Sequence, residues 1–331
     1  MIEETSRSGR EYHPNALVIS YRVMFLNTLG GVEREFVALG EEVGVQFGER
    51  RVWPLLSRPM KRCIPLFALL RLCYGSDTID PQDLVRRAGM TMQSDWAAAP
   101  GFAFVQRDFT TSKGVITRRT HQVFTISGSD YYMPIAINDE LLPADQQETE
   151  LRRLQEEVDR RSHETSKEAQ RRSEQYCKTR EQNGVLLLEF TKAFDFTLAG
   201  EDMMNGHPNY VLDAKPRPGY QPPNRIARIL TGMRGRLWIE KNSFRWVKGE
   251  AEVLKPVSIF GFFAKVLPGT RMDLEMIPVT EDVWLVSRFT VDMNLSKFWQ
   301  KSTKTMESTF RDYRPSAAAL AEALSARTKT P

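Results

Sequence analysis

The stretch Val283-Trp-Leu-Val-Ser-Arg-Phe-Thr-Val-Asp-Met-Asn-Leu295 decides the fold. Val283, Leu285, Phe289, Val291, Met293 and Leu295 fall on one face, and Arg288, Thr290, Asp292 and Asn294 on the other. A period of two is the strand period, so the segment reads as a strand of an antiparallel sheet with one wet side. Four similar runs crowd in front of it, at Arg236–Lys241, Phe244–Lys255, Val257–Leu267 and Arg271–Val279, and a last one spans Lys301–Tyr313. The C-terminal third is therefore read as one sheet. From Ser316 the chain turns Ala-rich and is expected to fray as a flexible tail over 316–331.

Moving outward, Phe102–Arg107, Gly114–Ile126 and Tyr131–Ile137 are further strand candidates, the last two separated by Ser127-Gly-Ser-Asp130. Phe194–Leu198 and Tyr210–Ala214 flank Asn205-Gly206, a strong hairpin dipeptide. Asn224 is expected to cap a short helix carrying Ile226, Ile229, Leu230 and Met233, with Gly235 as its stop. Pro143–Asn183 differs in kind. Asp145–Gln182 holds ten acidic and nine basic residues among 38, with no Gly or Pro. It predicts a solvated helix laced with pairs such as Glu157 with Arg161, continuing through Leu186–Phe190. This insertion over 143–192 is either an exposed helical excursion or the docking surface of an envelope partner, with Leu151, Leu154 and Val158 as its sparse apolar stripe.

Residues 60 to 75 read Met-Lys-Arg-Cys-Ile-Pro-Leu-Phe-Ala-Leu-Leu-Arg-Leu-Cys-Tyr-Gly. A cationic start, a brief apolar run and small residues at Cys73 and Gly75 follow the plan of a secretory signal peptide. The run is far below the roughly 20 apolar residues of a transmembrane span. A signal needs a free amino terminus, so Met60 is expected to be the true start and residues 1–59 a disordered upstream extension. Domain 76–315 would follow, opening on a helix with Asp80 as N-cap and Pro81 at the first helical position. The alternative for residues 60–75 is a short buried helix.

The net charge of +4 over 331 residues shows no dense basic patch, which argues against nucleic acid as a partner. Cys63, Cys73 and Cys177 form no zinc or disulfide spacing. Nucleotide-binding glycine loops, nucleophile elbows and H-E-x-x-H motifs do not occur. His163 and His207 are expected to face solvent, and His121 to be a structural strand histidine. The chain is read as non-catalytic and without a cofactor.

What stands out is apolar excess. Val257–Leu267 has little polar alternation, and Trp238, Trp246 and Trp284 each fall on a different expected strand. Together with Phe260, Phe262 and Phe263 they are the candidate contacts of a curved sheet whose concave face takes an acyl chain, at a gain of about 0.8 kcal/mol per buried CH₂. The competing reading is an ordinary core, or a sheet face covered by the helix at Asn224–Gly235. An open apolar cavity would favour binding, and a helix-plugged sheet the plainer reading.

Phe194-Asp-Phe-Thr-Leu-Ala-Gly200, Tyr210-Val-Leu-Asp-Ala-Lys-Pro216, Gly235-Arg-Leu-Trp-Ile-Glu240 and Val283-Trp-Leu-Val-Ser-Arg288 occur in an order that resembles the outer-membrane lipoprotein-sorting superfamily, in its poorly characterised bacterial branch. The resemblance covers roughly Asp80 to Tyr313. It implies an α+β fold: a mainly antiparallel half-barrel, that is an unclosed curved sheet, wrapped around helices. It further implies a periplasmic protein that binds lipid or lipidated protein, or that meets an envelope protein as a stress sensor. The carrier's gating arginine has no matching position, and no site residue is carried over.

Overall fold

The computed structural model describes residues 79–327, apart from 113, 225–226, 261–263 and 299. The leader expected at 60–75 and the extension at 1–59 lie outside the described residues. The first element, α1 (Pro81–Ala98), starts as its sequence dictates: the Asp80 carboxylate accepts the Gln82 amide at 3.0 Å, and Pro81 occupies the first turn.

Among the described residues thirteen strands form one antiparallel sheet. They are β1 (Phe102–Ser112), β2 (Val115–Ile126), β3 (Ser129–Ile137), β4 (Glu140–Leu141), β5 (Phe194–Met204), β6 (His207–Pro216), β7 (Met233–Glu240), β8 (Trp246–Val253), β9 (Val257–Phe260), β10 (Ala264–Val266), β11 (Arg271–Thr280), β12 (Val283–Lys297) and β13 (Gln300–Pro315). Their order is β4-β3-β2-β1-β13-β12-β11-β8-β7-β6-β5, with β10 and β9 added beside the far end of β12. The sheet does not close on itself. Its hairpins carry the turn chemistry the sequence advertises: Ser127-Gly128 and Asn205-Gly206 both have positive φ, at 46° and 82°, and 53° and 81°.

Apolar side chains fill both faces. Leu84, Val85, Ala88 and Met92 of α1 join Phe194, Leu212, Leu237, Ile239, Val291, Met293 and Phe310 in the main core. A second core gathers Ala103, Phe124, Ile126, Met133, Leu154 and Ala319. Phe104 and Val123 belong to the first, and their neighbours Ala103 and Phe124 to the second, so β1 and β2 are covered on both sides. We call the face under α1 the inner face.

The structure corrects five expectations. The charged segment is not one helix but a hairpin of α2 (Ala144–Ser162) and α3 (Ser166–Ala193). Thr165 and Glu168 form a reciprocal capping box that starts α3 afresh, a local signal stronger than the run of ion pairs around it. The expected pair Glu157–Arg161 is present at 2.6 Å, but Arg161 is buried rather than solvated. Second, Val257–Leu267 is two short strands, β9 and β10, which pair with each other and bury Val257, Ile259 and Val266 in the main core. Third, the Asn224 cap holds, its side chain accepting the Ala227 amide at 2.8 Å, but the helix is a 3₁₀ segment, Ala227–Gly232. It ends at Gly232, where β7 begins, and only glycine fits there, since a Cβ would strike the Val257 side chain and stand 3.1 Å from the Lys255 carbonyl.

Fourth, β12 does not keep one parity. A bulge sets Val286 opposite Met276 and Arg288 opposite Glu275, so Trp284 and Val286 share the inner core with Val291 and Met293. Fifth, the tail does not fray from Ser316: α4 (Ser316–Arg327) docks on the second core through Ala319, and the Ser316 hydroxyl accepts the Thr125 amide at 2.8 Å.

Candidate functional site

The inner face is the candidate site, and α1 lies on it. Trp246 faces inward opposite Ile239, with Phe190 edge-on at 5.7 Å. Trp284 is buried beside Met92, Trp96 and Ala99 of the α1 region. Between them, with Leu274, Met276, Leu285 and Val286, remains a void of about 30 Å³. Trp238 is not with the other two. The register sets it opposite Val211 and Lys248, and its neighbours Leu237 and Ile239 take the inner positions. On that outer face its indole donates to Asp202 at 3.2 Å, under the Lys248 ammonium. Phe260 ends β9, its side chain outside the description, and Phe262 and Phe263 lie outside the described residues. Of the six expected contacts, the structure therefore brings two, Trp246 and Trp284, onto the inner face.

Polar groups that the sequence did not announce fasten α1 there. Asp95, 2% exposed, pairs with Arg245 at 3.1 Å and accepts the Trp284 amide. Burial pushes its carboxyl above the usual range against both partners. Arg245 also reaches the Asp282 carbonyl. The Thr91 hydroxyl donates to the Phe244 carbonyl at 3.0 Å, and the Arg87 guanidinium lies 5.0 Å from the Phe244 ring. Arg180 of α3 stacks 4.7 Å from the Trp96 ring. Asp95 and Arg245 are 150 positions apart, so no local pattern could pair them.

Along β1, β2 and β13 the inner face turns polar. Gln106 donates to both oxygens of Asp108 at 2.9 Å, and the Ser308 hydroxyl donates to the same carboxylate. His121 stands opposite Gln106, buried, its Nδ1 without a partner among the described residues. Ser308 gives its proton to Asp108 and not to His121, so these residues make no nucleophile–base pair. Burial holds the His121 imidazole below its ordinary value of 6.5, with Arg119 adding to the effect and Asp108 opposing it.

A depressed folded pKa means that the unfolded chain takes up the proton first. The stability His121 contributes is thus complete above about pH 6.5 and is lost as the pH falls through the folded value. We expect His121→Leu to flatten this loss. In urea melts between pH 7 and 5 the native protein should lose more stability than the variant, by at most about 1.4 kcal/mol per pH unit. Parallel curves would show that His121 takes no part.

The opposite face carries its own charge lattice. Arg236 pairs with Asp213 at 2.7 Å and Arg234 with Glu252 at 2.8 Å, around a groove of about 430 Å³. These charges satisfy one another and leave no uncompensated sign for a ligand. Among the described residues no group of three or more His, Cys, Asp and Glu side chains is placed to hold a metal ion, and no helix is long and apolar enough to cross a membrane.

No family model matches the chain, and no curated protein matches it. Solved structures do. A LolA superfamily protein from Nitrosomonas europaea is 12% identical over 72% of this chain and 94% of its own, with a TM-score of 0.29. A DUF1329 family protein from Desulfovibrio piger has the same identity and coverage and a TM-score of 0.30. An outer membrane lipoprotein-sorting protein domain from Vibrio parahaemolyticus is 11% identical over 70% of this chain and 92% of its own, with a TM-score of 0.29.

Proposed function

We propose that the chain is a non-catalytic, exported binding protein that takes the acyl chain of a lipid or lipidated protein between α1 and the inner sheet face. The inner face is plugged by α1, the outcome set above for a plain core, so this reading rests on the plug being detachable: α1 closes the face through few apolar side chains and a polar fastening. The void beside Trp284 is about 30 Å³, so the seat is shut in this state and opens only if α1 moves. Leu84, Val85 and Met92 hold the helix with roughly 6 kcal/mol in all, at about 2 kcal/mol each. A chain of about fourteen methylenes would gain roughly 11 kcal/mol on the same surface. That surplus must also cover the Asp95–Arg245 pair, the Thr91 hydrogen bond and the ligand's lost freedom. The leader-like sequence at 60–75 supports a periplasmic location, where lipidated proteins travel.

The fastening supplies the test. In Asp95→Ala/Arg245→Ala both charges go together, so neither is left buried and alone. We expect this variant to bind a fluorescent fatty acid roughly tenfold more tightly than the native protein, because less free energy holds α1 shut. Native mass spectrometry of protein purified from its host envelope should show a bound lipid or acylated peptide. Failure of both, with the variant still folded, would leave the inner face an ordinary core.

The helical hairpin favours a second reading, an envelope interaction or sensor module. Arg161, Arg172 and Tyr176 clamp α2 and α3 onto the Ser127–Asp130 turn. That grip presents the exposed charges of Arg152, Glu156, Arg171 and Glu174 on a fixed frame. A stoichiometric protein partner lost on deleting Asp145–Gln182 would favour this module over the carrier.

A further inference from the structure

We propose that the protein docks on an anionic lipid surface through one end of its sheet, where its hairpin ends gather. The strand registers locate that end. Ser112 stands opposite both Val115 and Lys304, which places the β1–β2 turn beside the start of β13. Lys297 stands opposite Gln300 and Ala264, which adds the β12–β13 turn and the start of β10. Ile137 stands opposite Arg119 near the start of β2, which brings the β3–β4 turn to the same end. Glu252 stands opposite Arg271, itself opposite Asp292, so the segment after β8 arrives there too.

The exposed large apolar side chains follow this geometry. Val115, Ile116, Ile137, Leu141, Leu254 and Phe298 all belong to these hairpin ends, with Val115 65% and Leu141 73% exposed. The others, Ile79, Met90, Leu198 and Met203, lie just before α1, on α1 or on β5. Single exposed apolar residues are ordinary, but six collected at one end of one sheet are not.

Lysines outnumber the exposed, unpaired carboxylates at this end, where Glu140 and Asp292 stand among them. Lys255, Lys265 and Lys301 are exposed, and Lys297 and Lys304 partly so. Asp139, at the β3–β4 turn, is already engaged by Arg107 and Arg118 at 2.6 and 3.3 Å. The apolar residues sit on separate tips rather than around a pocket, so they offer a folded partner no complementary hollow. A fluid bilayer needs none. Its boundary region accepts scattered aliphatic and aromatic side chains, while lysine stems reach back to the headgroups. Each lysine near an anionic surface adds about 1 kcal/mol. This assignment stands whether or not the inner face holds an acyl chain.

The experiment is co-sedimentation of the full chain with vesicles of phosphatidylglycerol and phosphatidylcholine in equal parts, against vesicles of phosphatidylcholine alone. Binding to the anionic vesicles only, weakened by salt, is expected. Ile116→Ser/Phe298→Ser should bind roughly tenfold more weakly, while Met203→Ser, at the opposite end of the sheet, should bind as the native protein does. Thermal melts of both variants confirm that they fold. The proposal is overturned if the native chain ignores anionic vesicles, or if the hairpin-end variant sediments like the Met203→Ser control. It is equally overturned if the hairpin-end substitutions abolish a concentration-dependent dimer and leave vesicle binding intact.

Discussion

Arg161→Ala is expected to destabilise the protein by ~2–4 kcal/mol, the usual cost of taking a charged donor away from buried carbonyls. The guanidinium is 6% exposed. It donates to the carbonyls of Ile126 and Ser129 at 2.7 and 2.8 Å, to the Ser129 hydroxyl at 3.0 Å, and to Glu157 at 2.6 Å. Alanine removes this donor from the Ile126 and Ser129 carbonyls under α2, while Glu157 keeps Arg160 and the Ser129 hydroxyl keeps Arg172. Arg161→Lys should recover only part of the loss, because an ammonium cannot fork toward two carbonyls and a carboxylate in one plane. Urea unfolding measures the effect, and limited proteolysis should show faster cleavage between α2 and α3. A loss below about 1 kcal/mol would mean that Arg172 alone suffices to hold the hairpin.

Phe194→Ala should cost a similar ~3–5 kcal/mol through a different cause, the cavity left in the inner core. Phe194 is fully buried at the start of β5, its ring 4.5 Å from Phe190 and 6.4 Å from Phe196. Phe190 also leans on Trp246, so the lost ring loosens the contact between α3 and the sheet as well. Phe194→Leu should recover more than half of the deficit. Calorimetric melts of the two variants separately and combined would test whether the two cores act independently. The Arg161 and Phe194 sites share no partner, so their effects should add to within about 0.5 kcal/mol. A double variant much milder than that sum would show that one core has already failed when the other is lost.

How far the sequence speaks depends on the range of the physics involved. Period-two alternation is local, and it located every strand from β11 to β13 to within a few residues. Asn205-Gly206 and Ser127-Gly128 are equally local, because a left-handed backbone at two successive positions is a demand the turn makes on its own residues. The Thr165–Glu168 capping box was also present to be read, but the surrounding opposite charges drew the attention to one long helix. Which face a tryptophan takes is a different matter. Trp238 looks like its counterparts on neighbouring strands, and only the pairing of Leu237 with Leu212 sends it outward. The bulge before Arg288 flips parity in the middle of an apparently regular strand. The latch of Asp95 and Arg245, and the choice of α1 as the cover of the inner face, arise from contacts between distant segments. Pattern reading has no access to those.

The sheet ends at β5, whose outward edge has no neighbouring strand among the described residues. Eleven residues of bare backbone would ordinarily invite another extended chain to zip on. Here the pairing of β5 with β6 slips between Leu198 and Gly200. The local twist that such a slip imposes turns the rest of the strand out of line. Asp195 and Glu201 then hold ion pairs with Arg217 and Lys241 along that border, which an added strand would have to disturb. The molecule is thereby guarded against growing into fibres from its open side, while the opening that lets a sheet curl around a helix is kept.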